Sequence, residues 1–163
     1  MKTLILLIAL LSSQIVYCSS TREQRIIDIF NSLRSDNTQI LDDFYHPNLK
    51  FADPLGPIDG LDAMKNYYKN VYKNVKTIRF EFDHMTTQGN TVFTGWNMFL
   101  SAQGLNGGNE IRVIGASRIT FDPSTDLVID HRDYFDMGEF IYERVPVLGS
   151  IIRFVKEKFT SEH

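Results

Sequence analysis

The feature that most constrains the fold is a series of period-two segments in the second half of the chain. In "TIRFEFDHM", residues 77–85, Ile78, Phe80 and Phe82 alternate with charged side chains. Such alternation predicts a strand with one buried face. The segments "TVFTGWNMFLSAQ", "EIRVIGASRITFD" and "LVIDHRDYFD" follow, joined by short turns. Long adjacent strands with short connections predict an antiparallel meander.

Helical patterns precede these strands. "STREQRIIDIFNSLRSDN" carries a capping pattern from Thr21 to Gln24, followed by apolar residues on one helical face. "TQILDDFY" predicts a second short helix that ends at His46-Pro47, because the residue before a proline avoids the helical region. A short strand, "LKFAD", and a third helix, "GLDAMKNYYKNVYKN", come next. Helices first and a sheet later predict an α+β fold.

The N-terminal residues have the pattern of a targeting sequence. Lys2 precedes the apolar run "TLILLIALL", and small residues follow in "SSQIVYCSS". The run is shorter than the roughly 20 residues of a membrane span. We therefore predict a signal peptide over residues 1–18, cut after Cys18 or as late as residue 20, and a secreted or periplasmic domain. A permanent N-terminal anchor is the alternative.

Charge and cysteine content narrow the class of protein. The net charge is −3 and the sequence has no basic run, so we expect no nucleic-acid partner. The one cysteine lies at the predicted cleavage site, which leaves a mature domain held by its core instead of disulfides. The sequence shows no metal-ligand spacing and no nucleotide-binding fingerprint, so we expect no metal and no cofactor.

The last predicted strand carries one candidate site. The side chains that alternate onto its inner face are Leu127, Ile129, His131, Asp133 and Phe135. This face begins apolar and becomes polar, as expected where a core gives way to a pocket. A histidine beside a carboxylate can act as an acid/base pair. The alternatives are a structural histidine at the sheet rim and an ion pair from Asp133 to Arg118.

A second candidate site is "FADPLGPIDGLDAMKNYY", residues 51–68. Asp53 precedes a proline, a loop bounded by glycine and proline, and a helix with the adjacent pair Tyr67 and Tyr68. Asp-Pro favours a turn and can cap the following helix, so spacing alone favours a turn-forming role. The alternative is a carboxylate aimed into a pocket.

The longer run "LDDFYHPNLKFADPLGPIDGLDAMKNYY" is similar to the ketosteroid isomerase segment in which an Asp-Pro pair supplies the catalytic base. With the order of elements, residues 22–137 resemble the nuclear transport factor 2-like (NTF2-like) superfamily, which includes SnoaL-type polyketide cyclases and limonene-epoxide hydrolase. The resemblance implies a cone-shaped, curved antiparallel sheet wrapped by N-terminal helices. The cone domain would span residues 21–137.

The resemblance also implies site residues. Asp53 takes the place of the catalytic base, and His131 and Asp133 hold the acid/base place of the final strand. Ser117 falls near an oxyanion-hole position. The expected ligand-binding residues are Ser117, Tyr67, Tyr68, Trp96, Met98 and Phe135, together with Phe80 or Phe82. Ile29 or Phe30 stands where ketosteroid isomerase has a tyrosine donor, so steroid isomerisation is not expected.

Residues 138–163 form a predicted amphipathic helical extension whose start is broken by Pro146 and Gly149. The apolar residues on one face are Leu148, Ile151, Ile152, Val155 and Phe159. The helix could close a pocket, join a dimer or lie on a membrane surface. The first two are favoured, because most amphipathic helices face a protein core.

Two classes of function fit these patterns. One is a cofactor-free isomerase or cyclase that moves a proton next to a carbonyl, with water activation for epoxide or ester hydrolysis as a variant. The other is a noncatalytic protein for a lipid-like or polycyclic ligand. Both take a small hydrophobic, oxygenated molecule. A third interpretation is an interaction domain that forms a homodimer through the open sheet face, as is common in the superfamily.

Overall fold

The computed structural model describes residues 21–144 and 146–160. The helices are α1 (Arg22–Ser32), α2 (Leu61–Val71), α3 (Met137–Phe140) and α4 (Pro146–Thr160). The strands are β1 (Tyr45–Asp53), β2 (Gly56–Asp59), β3 (Val75–Gln88), β4 (Thr91–Ala102), β5 (Ile111–Phe121) and β6 (Val128–Phe135). Short 3₁₀ helices cover Thr38–Asp43, Asn106–Gly108 and Tyr142–Arg144. The predicted signal peptide, residues 1–18, lies outside the described residues.

The six strands form one curved, open sheet in the order β2-β1-β6-β5-β4-β3. Strands β3 to β6 are the antiparallel meander that the alternation predicts. Strand β2 pairs antiparallel with β1 at the sheet edge, and β1 pairs parallel with β6. The predicted α+β class and curved sheet are therefore confirmed, and the parallel pair is an addition.

Strand β1 is longer than the sequence patterns predict. It begins at Tyr45 instead of Leu49, and the predicted second helix is a 3₁₀ helix that ends at Asp43. Pro47 lies inside β1, where the pairing with β6 is irregular between Tyr45 and Lys50. A proline is tolerated there because it has no backbone N–H to donate, and the irregular pairing does not require one at this position. Pro57 likewise lies in the edge strand β2.

The core lies between the sheet and helices α1 and α2. Its fully buried aliphatic side chains include Ile26, Leu41, Leu49, Met64, Val92, Ile119 and Val128. Thr21 caps α1 as predicted, since its hydroxyl accepts a hydrogen bond from the Gln24 N–H at 3.2 Å. The period-two pattern of β6 predicts that Val128 faces outward, opposite to Leu127 and Ile129. This prediction is wrong, because Val128 is fully buried. An irregularity in the β5–β6 pairing beside it turns Val128 into the core.

Helix α4 also differs from the prediction. It starts at Pro146 and continues through Gly149 without a break. Proline suits the first turn of a helix, because its missing N–H would have no partner there. Gly149 lets the helix pass the Glu143 carbonyl, whose oxygen would lie 2.1 Å from an added Cβ. Arg153 and Lys156 both bind Glu143 and tie α4 to the preceding turn.

The apolar face of α4 is exposed to solvent. Val147, Ile151, Phe154 and Phe159 are each more than half exposed. The contacts of α4 are mainly with the turn at Tyr142–Arg144. Among the described residues, no helix combines the length and apolarity needed to cross a membrane.

Gly115 makes room for Trp96 inside the sheet. The two residues pair across β4 and β5, and a Cβ at Gly115 would lie 2.2 Å from Cη2 of the indole ring. We expect Gly115→Ala to lower the free energy of unfolding by about 1–3 kcal/mol, the usual cost of overpacking. Trp96 is the only tryptophan, so its fluorescence should shift as well. Chemical denaturation followed by fluorescence measures both effects.

Gly95→Ala is the matched control for this substitution. Gly95 lies on β4, and an added Cβ would meet the nearest side-chain atom, Cβ of Asp83, at an ordinary 3.8 Å. We expect a change within about 0.5 kcal/mol. Equal losses in the two variants would show that the contact with Trp96 is not what requires glycine.

Candidate functional site

A cavity of about 260 Å³ lies between the inner face of the sheet and helices α1 and α2. Phe140 of α3 and the adjacent Ile141 contribute to its wall. None of the described lining residues belongs to α4. The part of the C-terminal extension that reaches the cavity is therefore α3 and the residue after it.

Most of the predicted site residues meet at this cavity. Those that line it are Asp53, Tyr67, Tyr68, Trp96, Met98, Asp133 and Phe135. Phe80 lines it and Phe82 does not, which resolves the alternative between them. Ser117 and His131 are buried behind the wall, at 2% and 1% exposure, and both contact Asp133, which lines the cavity.

Asp53 forms a turn and lines the cavity at once. Its Oδ1 accepts hydrogen bonds from the N–H groups of Leu55 at 2.7 Å and Gly56 at 3.2 Å. Its Oδ2 accepts one from the Tyr67 hydroxyl. The residue that caps α2 is Gly60, so Asp53 is not the helix cap. Three uncharged donors therefore fix the orientation of this carboxylate.

Asp133 is held from behind by a buried polar chain. Its Oδ1 lies 2.8 Å from His131 Nε2 and accepts a hydrogen bond from the Ser117 hydroxyl. Ser117 Oγ accepts in turn from the Trp96 indole N–H at 2.8 Å. Across the imidazole ring, Nδ1 lies 2.7 Å from the Tyr45 hydroxyl. Among the described residues, no hydrogen bond reaches Oδ2.

The Tyr45 hydroxyl is the second side-chain partner of His131. Burial raises the pKa of Tyr45 well above its usual value, and the charge of Asp133 adds to the rise, against a hydrogen bond from Tyr68. Tyr45 therefore keeps its proton, and its hydroxyl can donate to Nδ1. In that tautomer the ring donates from Nε2 to Asp133.

Strand pairing brings the two carboxylates side by side. The parallel register pairs Phe51 with His131 and Ala52 with Arg132, so Asp53 and Asp133 occupy the next positions on adjacent strands.

Arg118 pairs with Asp130 at 2.7 Å, so the ion pair considered for Asp133 is not the one that forms. The described residues contain no group of three His, Cys, Asp or Glu side chains that could hold a metal ion.

Four tyrosines line the cavity and are called the tyrosine belt here. The four residues are Tyr45, Tyr67, Tyr68 and Tyr72. Burial is the main cause that raises the pKa of each, and the charge of Asp133 contributes in every case. For Tyr67, the hydrogen bond to Asp53 is the second cause. Within the described part of the chain, no hydrogen bond engages the Tyr72 hydroxyl, which can donate to a ligand.

Sequence reasoning missed Tyr45 and Tyr72 as site residues. Tyr45 shares the period-two face of β1 with Leu49, Phe51 and Asp53, and that alternation was the available signal. Tyr72 follows Tyr68 by four residues, the spacing of one helical face, and caps the C-terminal end of α2.

A curved, open sheet that encloses a cavity with N-terminal helices defines the NTF2-like class of α+β domains. The family model for the SnoaL-like domain matches residues 24–131. The chain belongs to the SnoaL-like family. No curated protein matches it in sequence.

Solved structures share the fold at low identity. A candidate SnoaL-like polyketide cyclase from Shewanella denitrificans OS-217 is 19% identical, with a TM-score of 0.64 over 79% of this chain and 96% of that one. A Catenulispora acidiphila protein with a ketosteroid isomerase-like fold, solved with trimethylamine, is 11% identical (TM-score 0.63, 75% and 92% covered). A Mycobacterium tuberculosis LEH-like epoxide hydrolase is 15% identical (TM-score 0.60, 79% and 92% covered).

The tyrosine belt leads to a pH prediction. In the unfolded chain these hydroxyls titrate near pH 10, whereas their pKa values in the folded protein are higher. Their contribution to stability is therefore complete below about pH 10 and is lost as the pH rises further. We expect phenolate absorbance from these four residues to appear only together with loss of near-UV circular dichroism. Ionisation of these four tyrosines while the near-UV circular dichroism is unchanged would contradict the raised pKa values. In Tyr72→Phe, the absorbance that appears on unfolding should correspond to three tyrosines instead of four.

Proposed function

We propose that the protein binds a small, largely apolar, oxygenated molecule in the cavity and transfers a proton on it without a cofactor. The observation that carries this proposal is the geometry of Asp133. His131 and Ser117 fix its Oδ1, and the cavity that Asp133 lines has a mostly apolar wall. A carboxylate fixed in this way, with one oxygen free, is suited to be a general base.

The proposed reaction is an isomerisation or cyclisation next to a carbonyl. Asp133 Oδ2 takes a proton from the carbon beside the carbonyl, and the electrons of the broken C–H bond move to the carbonyl oxygen. The Tyr72 hydroxyl donates a hydrogen bond to that developing oxyanion. For isomerisation, the protonated Asp133 then returns the proton to a different carbon. The step is neither an oxidation nor a reduction, so it needs no redox partner.

The other polar groups have supporting roles in this proposal. His131 and Ser117 position Asp133 without touching the ligand. Asp53 is the second candidate for the base. Its two oxygens already accept three hydrogen bonds, which leaves it less available for a proton than Asp133.

A noncatalytic ligand-binding protein is the second candidate function. The observation that favours it is the apolar end of the cavity at α1, where Ile29 and Phe30 line the wall and neither can donate a hydrogen bond. Loss of oxyanion donors typically costs orders of magnitude in rate. In this alternative, Asp133 and the tyrosines only anchor the oxygen atoms of a lipid-like or polycyclic ligand. Activation of water by Asp133, for epoxide or ester hydrolysis, is a variant of the first function.

We further propose a cellular location and an oligomeric state for the protein. The apolar N-terminal run supports export to a secreted or periplasmic location. The outer face of the sheet carries exposed Phe93, Ile114 and Tyr134, which supports a homodimer through that face.

The test is native mass spectrometry of protein purified gently from its own host, with extraction of the bound small molecule. Wild type, Asp133→Asn and Asp53→Asn are compared. We expect a ligand to accumulate in Asp133→Asn and to be turned over by the wild type, because the amide keeps the shape of the carboxylate but cannot take the proton. Accumulation only in Asp53→Asn would assign the base to Asp53 instead.

Asp130→Asn is the matched control, since Asp130 pairs with Arg118 on the outer face, away from the cavity. It should behave as wild type. The same ligand retained unchanged in all four proteins would contradict turnover and favour the binding protein.

A further inference from the structure

The charge of the cavity wall is unbalanced. Among the described residues that line it, the charged ones are Asp53 and Asp133, and there is no lysine, arginine or histidine. These carboxylates are next to each other on adjacent strands. Two like charges at a largely apolar site repel each other, and an opposite charge that joins them relieves the repulsion.

Among the described residues, neither carboxylate is paired with a lysine or an arginine. Asp53 is bound by two backbone N–H groups and the Tyr67 hydroxyl. Asp133 is bound by the Ser117 hydroxyl and by His131. The other ring nitrogen of His131 pairs with the Tyr45 hydroxyl. These partners orient the two carboxylates, and no lysine or arginine is among them.

The rest of the wall is rich in aromatic rings. Trp96 is linked to Asp133 through Ser117, and its ring centroid lies 5.5 Å from that of Phe80 and 6.1 Å from that of Phe135. The negative faces of aromatic rings attract cations, and a set of such rings is the usual recognition surface for ammonium groups. Carboxylates and aromatic faces in one cavity therefore select the same sign of charge.

We infer that the molecule bound in this cavity carries a positively charged nitrogen, as a protonated or quaternary amine on a small hydrophobic body. The nitrogen would lie between Asp133 and the rings of Trp96 and Phe135, and the apolar body would extend toward α1. This inference rests on the proposed function, because it names the ligand class of the same cavity. In the proposed reaction the ammonium group anchors the molecule, while proton transfer takes place at another atom.

The test compares two probes of one shape on the wild-type protein. Benzyltrimethylammonium carries the charge, and neopentylbenzene has carbon in place of nitrogen. Trp96 lines the cavity and is the only tryptophan, so its fluorescence reports binding directly. We expect the cation to bind about tenfold or more tightly than the neutral probe, because cation–π attraction and an ion pair act together. Equal affinity, or tighter binding of neopentylbenzene, would overturn the inference.

Charge-neutral variants locate the anion that is responsible. Asp133→Asn should weaken benzyltrimethylammonium binding about tenfold and leave neopentylbenzene binding unchanged. Asp53→Asn should have a smaller effect in the same direction, and Asp130→Asn should have none. Unchanged binding of the cation in both cavity variants would overturn the inference. Binding of the neutral probe alone would leave an apolar ligand site and refute the ammonium class, whereas no binding of either probe would refute the ligand cavity itself.

Discussion

The site depends on one non-local interaction, the parallel pairing of β1 with β6. Its register sets Phe51 beside His131 and Ala52 beside Arg132. This pairing brings the aspartate at the end of the first strand next to an aspartate on the last strand. It also places Tyr45 within hydrogen-bond reach of His131, which is 86 residues away in the chain. Without this pairing, the two carboxylates and the tyrosine belt would belong to separate parts of the molecule.

Local patterns were enough to predict most elements and not enough to predict this pairing. The Thr21 cap, helix α2 and the four-stranded meander each follow from residues close in sequence, and the structure contains all of them. A parallel pair needs a long crossover, and no short-range periodicity reports its partner. The resemblance to the superfamily brought Asp53, His131 and Asp133 into one predicted site before any register was known.

The errors near the site have a common physical origin. Pro47 suggested the end of a helix, although an irregular pairing lets β1 carry a proline, and Tyr45 was lost from the predicted strand as a result. Ser117 was expected to face the ligand because of its residue type and position. Its hydroxyl instead completes a chain from Trp96 to Asp133. Sequence pattern gives the face of a strand, whereas the direction of a hydroxyl depends on partners elsewhere in the fold.

The polar chain behind Asp133 is better explained by a ligand than by stability. Apolar residues of similar volume at buried polar positions often stabilise a protein as much or more. Here Trp96, Ser117, His131 and Tyr45 are arranged to fix one oxygen of Asp133 while the other lacks a donor among the described residues. An arrangement of buried polar groups that keeps one acceptor oriented toward a cavity is expected where that acceptor meets a bound molecule.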